Sequence, residues 1–94
     1  MNKLIDYTAN LLSKYDLDYE TILSFLEIPN QDMGDVALPC FKLAKILHKS
    51  PIEIANNLQN QISDPNLEKI ESVNGFLNFT FKPQFISNTL LSVL

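Results

Sequence analysis

A chain of 94 residues is long enough for one modest core and too short for two domains, and 46% hydrophobic content excludes a disordered segment. Seven basic residues against eleven acidic ones give a net charge of -4, which excludes a general nucleic-acid binder and leaves room only for a local contact. No apolar run approaches the ~20 residues of a membrane span, and the single cysteine, Cys40, excludes an internal disulfide, so a soluble, reducing, cytoplasmic setting is expected.

Leu4, Ile5, Thr8, Leu11, Leu12 and Tyr15 recur at spacings of three and four, which predicts an amphipathic helix interrupted at Asp16-Leu17-Asp18. Asp18 then caps a short turn through Tyr19 and Ile22. Phe25 to Ile28 is apolar enough for a strand ended by Pro29, but helix and strand are not separable there. Asn30 to Gly34 has loop composition. From Pro39 to Lys49 the set Cys40, Leu43, Ala44 and Leu47 has helical spacing, with Pro39 placed in the first turn, where no backbone donor is needed. Lys42, Lys45 and Lys49 fall on the opposite face, either as an ordinary solvated surface or as a contact for phosphate.

Ser50-Pro51-Ile52-Glu53 carries the residue types of a capping box. The helix it opens buries Ile54, Ala55, Leu58 and Ile62 and stops at Asp64-Pro65. Asn74-Gly75 then marks a two-residue hairpin turn, because both residues tolerate positive φ. Alternation after it separates Leu77, Phe79 and Phe81 on one face from Phe76, Asn78 and Thr80 on the other. A two-residue turn sets Val73 opposite Phe76, Ser72 opposite Leu77, Glu71 opposite Asn78 and Ile70 opposite Phe79. Ile70 joins the core face, and Phe76 stands on the presenting face beside an amide and a hydroxyl. It either packs on Val73 as a cross-strand pair or offers its ring to a planar ligand. A last helical pattern opens at Pro83 and runs through Phe85, Ile86, Thr89, Leu90 and Val93. It stops at Leu94 without a glycine or charged last turn, so the chain is expected to be the N-terminal piece of a longer protein.

Chemistry-bearing clusters are nearly absent. One cysteine and one histidine do not make the usual zinc ligand set, and on one helix Cys40 and His48 would lie ~12 Å apart. Asp32 and Asp35 flank Gly34 as a polar turn, and two glycines do not build a phosphate-binding loop. No catalytic residue, metal site or cofactor is expected within the chain.

Three blocks occur in order: Gly34-Asp35-Val36-Ala37-Leu38-Pro39, then Leu43-Ala44-Lys45 with Lys49-Ser50-Pro51-Ile52-Glu53-Ile54-Ala55, then Gly75-Phe76-Leu77-Asn78-Phe79. The set resembles the N-terminal domain of arginyl-tRNA synthetases. That resemblance implies an α+β domain, a small antiparallel sheet with helices packed against it, ahead of a class I catalytic domain that uses ATP to join arginine to tRNA. It implies contact with the D-loop at the tRNA elbow. Phe76 is similar to the family's base-contacting aromatic, Asn78 to its base-bonding amide, and Asn74 to a turn asparagine of some members. Lys42, Lys45 and Lys49 are lesser candidates for the same tRNA. The chain lacks the His-Ile-Gly-His and Lys-Met-Ser-Lys-Ser type motifs of the catalytic domain, so alone it is expected to be non-catalytic. The competing expectation is a free-standing protein-interaction module that uses an exposed sheet face or the terminal apolar helix.

Overall fold

The computed structural model describes residues 2–91. Asn2 opens α1 (Lys3–Leu12), its side-chain oxygen accepting from the N–H groups of Leu4 and Ile5 at 2.8 and 3.0 Å. A 3₁₀ turn over Ser13–Tyr15 follows and Asp16, at φ 64°, breaks the direction of the chain. Asp18 caps α2 (Tyr19–Phe25) as its sequence position predicts, with its carboxylate accepting from Thr21 N–H at 3.0 Å. That hydrogen bond holds the Asp18 carboxyl below its ordinary value. Of the ambiguous stretch Phe25 to Ile28, only Phe25 is helical, as the last residue of α2. Past it, only Glu27 makes a strand-like bridge, exchanging two backbone hydrogen bonds with Ala37.

The next element departs from expectation. Val36–Pro39 is a strand, β1, and the helix after it, α3, is confined to Phe41–Leu47. Pro39 is the last residue of an edge strand, where its missing N–H leaves no central ladder position empty. α3 ends at His48 in the left-handed conformation. Lys49 thus lies beyond the helix, and the expected three-lysine face reduces to Lys42 and Lys45. Leu47, expected inside, is 37% exposed. Ser50 caps α4 (Pro51–Gln61), its Oγ accepting from Glu53 N–H at 3.1 Å. The buried stripe of that segment is Ile54, Ala55, Leu58 and Ile62, as predicted.

β2 (Leu67–Val73) and β3 (Phe76–Phe81) form the hairpin in the predicted register, from Val73 opposite Phe76 to Ile70 opposite Phe79. Asn74 and Gly75 take φ of 50° and 84°, the positive pair that a tight hairpin turn requires. The antiparallel sheet has the order β1-β3-β2, so β3 is central. One face carries Val36, Leu38, Leu77, Phe79 and Phe81, all buried in the core together with Ala9, Leu12, Ile22, Leu43 and the α4 stripe. α5 (Pro83–Leu91) returns to α1 and places Phe85 against Tyr7 and Phe81, ring centroids 4.7 and 5.4 Å apart. Of its expected stripe, the Leu90 side chain and Val93 lie outside the described residues. The architecture is the predicted α+β arrangement with helices packed on one side of a small antiparallel sheet.

Candidate functional site

The face of the sheet away from the core is built in rows, because directly paired residues point the same way. One row crosses four segments: Glu27 pairs with Ala37, Ala37 with Asn78, and Asn78 with Glu71. The next row is Pro39, Phe76 and Val73. Beside the first row the chain continues from Glu27 to a 3₁₀ turn at Gln31–Met33. The result is a cleft of about 370 Å³. Its floor is Ala37 and Asn78, Phe76 forms one side, and Glu27, Ile28, Pro29, Asn30 and Met33 supply the rest.

Gly34 and Asp35 fix the loop's return to the sheet. A Cβ on Gly34 would lie 2.9 Å from the Phe79 carbonyl oxygen, and its φ of 97° suits glycine alone, so the chain passes hard against β3 at this point. Asp35 N–H donates to the Phe79 carbonyl at 2.8 Å, and its carboxylate accepts from Phe81 N–H at 2.8 Å. Asp35 is thus a structural clamp, in keeping with the polar-turn reading of Asp32 and Asp35. Among the described residues no group of three or more His, Cys, Asp or Glu is placed to hold a metal ion.

Asn78 does not stand on an open presenting face, as its alternation with Leu77 and Phe79 suggested. It is 4% exposed, and residues of the Glu27–Met33 segment line the cleft with it. Its side-chain oxygen is buried and has no hydrogen-bond partner among the described residues. A buried acceptor without a donor costs about 1–3 kcal/mol, a cost that an ordered water or a ligand donor would remove. Phe76 is half-buried beside it, its ring edge-to-face with Phe41, centroids 6.3 Å apart and planes at 74°.

The other expected site residues stand apart. Asn74 is exposed at the hairpin turn and does not line the cleft. Lys42 and Lys45 are exposed on α3, Lys42 with its Nζ 5.8 Å from the Phe25 ring centroid, and Lys49 is exposed past the helix end. Sequence reasoning missed the whole loop wall and Phe41. The Gly34-Asp35 pair was the available signal for the wall, since both residues serve the loop's closure on β3.

The chain matches the arginyl tRNA synthetase N terminal domain family over residues 2–81. It belongs to that family. Over 81 residues it is 42% identical to the arginine–tRNA ligase of Clostridium acetobutylicum, which takes in 84% of this chain and 14% of the relative. Over 89 residues it is 44% identical to the arginine–tRNA ligase of Streptococcus uberis, with 92% of this chain and 16% of the relative covered. Thermus thermophilus arginyl-tRNA synthetase shares the fold with a TM-score of 0.65 at 26% identity, over 94% of this chain and 15% of that one. The chain therefore spans 14–16% of the length of these proteins. No helix among the described residues is long and apolar enough to cross a membrane.

Proposed function

We propose that this chain is the tRNA-recognising N-terminal domain of an arginine–tRNA ligase and that its cleft receives one unstacked base of the tRNA D-loop. The catalytic domain of the parent protein would perform the ATP-dependent joining of arginine to tRNA, and this domain contributes binding alone. The observation that carries the reading is that Asn78, whose side-chain oxygen is buried and unpartnered among the described residues, lines a cleft together with Phe76. A base in that cleft lays its face on the Phe76 ring and presents an N–H to the buried oxygen, while the amide NH₂ of Asn78 supplies a complementary donor. Base-on-ring stacking contributes about 1–3 kcal/mol, enough to tune recognition in a domain whose net charge of -4 keeps it from gripping phosphate broadly. Lys42 and Lys45 add local positive charge, with Lys49 and Asn74 at the margin.

The test is made in the full-length protein. Phe76→Ala should lower kcat/KM for tRNA about five- to a hundredfold and leave arginine and ATP binding unchanged. Asn78→Leu should produce a loss of similar direction without lowering the melting temperature, because it removes a buried oxygen that has no partner in the free domain. Unchanged tRNA kinetics in both variants would sink the assignment.

A further inference from the structure

Phe41 begins α3 with 53% of its surface exposed, while Cys40 before it and Leu43 after it are buried. Its placement is nevertheless fixed. Cys40 N–H donates to the Gly75 carbonyl at 3.0 Å, which pins the start of α3 to the hairpin turn just ahead of Phe76. The Phe41 ring then meets the Phe76 ring edge-to-face at 6.3 Å and 74°. A helix and a strand thus hold two aromatic planes nearly at right angles, one bordering the cleft and the other outside it.

We propose that Phe41 and Phe76 form a two-plane corner that takes two neighbouring, unstacked nucleotides of one tRNA loop, one base on each ring. The inference rests on the tRNA-binding reading above and extends it to a second nucleotide. The base on Phe76 reaches down to Asn78, whose buried oxygen needs a donor. The adjacent base covers Phe41, and Lys45, one helical turn further along the same face of α3, meets the phosphate between or beside them. Stacked neighbours in a helix are parallel and cannot lie on two planes 74° apart, whereas the splayed bases of a loop can. The corner therefore selects an open loop over a duplex. Its Phe41 half accepts any base, because every base has a π-face. Lys45, at i+4 from Phe41 in a chain of net charge -4, places positive charge at this edge, which favours a nucleic-acid occupant over an apolar protein surface.

The experiment uses the full-length protein and arginine tRNA transcripts in which D-loop nucleotides are made abasic one at a time. Affinity is measured for the wild type, Phe41→Ala, Phe41→Leu and Phe76→Ala. Both Phe41 variants should bind intact tRNA about five- to a hundredfold more weakly, with melting temperatures unchanged because the ring is outside the core. One abasic position should erase the effect of Phe41→Ala, and the neighbouring position should erase that of Phe76→Ala. Coupling of both variants to the same nucleotide would show that Phe41 only props Phe76, and would overturn the proposal. So would an effect of Phe41→Ala that couples to no nucleotide, as expected if the ring packs on another part of the protein. If Phe76→Ala leaves affinity unchanged, the underlying tRNA-binding reading falls and takes this proposal with it.

Discussion

Burial of Cys40 pushes its thiol pKa up to about 12, only partly countered by a hydrogen bond from the Leu77 backbone. The folded state therefore keeps this group neutral well above its ordinary 9.0. Stability from that source is complete below pH 9 and is lost as pH rises toward 12, because the unfolded chain gives up the proton first. Chemical denaturation above pH 9 should show a falling midpoint, and the fall should be smaller in Cys40→Ala. Near neutral pH a thiol reagent should label Cys40 only at the rate of unfolding. Gly34 is constrained by geometry instead of charge. Gly34→Ala forces a methyl against the Phe79 carbonyl and a positive φ onto alanine, and the urea midpoint should report a loss of more than about 1 kcal/mol.

Among the elements, α4 owes its start to one side chain. Ser50→Ala removes the acceptor for Glu53 N–H and should cost about 1 kcal/mol, read as a lower urea midpoint at unchanged slope. This cap was legible in the sequence because Ser, Pro and Glu act on neighbours within one turn. The β2-β3 register was legible for the same reason, since Asn74-Gly75 sets it locally and period-two alternation then sorts the faces. β1 was not legible. Val36 to Pro39 are all buried, so no alternation marks a strand, and their pairing with Phe79 to Phe76 is remote in sequence. Pro39 ahead of a helical pattern read as a first-turn proline, when it ends an edge strand. The cleft at Asn78 was hidden by the same kind of distance, because much of its lining comes from Glu27 to Met33. Local alternation and family resemblance single out Phe76 and Asn78 as candidates, while the enclosure around Asn78 needed the fold.

Across the whole molecule, contacts remote in sequence close the domain. Tyr7 on α1 donates its hydroxyl to Asp64, with both carboxylate oxygens at 3.0 Å, and accepts from Asn66 Nδ2 at 2.9 Å, while its ring packs on Phe81 and Phe85. Burial and, less strongly, the Asp64 carboxylate raise the Tyr7 pKa, partly offset by the Asn66 hydrogen bond. Tyr7→Phe keeps the ring contacts and loses the hydroxyl, so α1 should loosen from the turn between α4 and β2. The expected cost is about 1 kcal/mol, with faster amide exchange in both segments and little change at β3.

β3 lies between two hydrogen-bonded neighbours, with Leu77, Phe79 and Phe81 in the core and Phe76 and Asn78 lining the cleft. Leu77, Phe79 and Phe81 immobilise the same backbone that carries Phe76 and Asn78. The backbone beneath the cleft is therefore cast in place before any ligand arrives, and binding need freeze little of it. Side chains 76 and 78 are in effect two replaceable characters on a fixed line of type. Under the proposed function, exchanging them would rewrite which nucleotide is accepted and leave the page they are set in untouched.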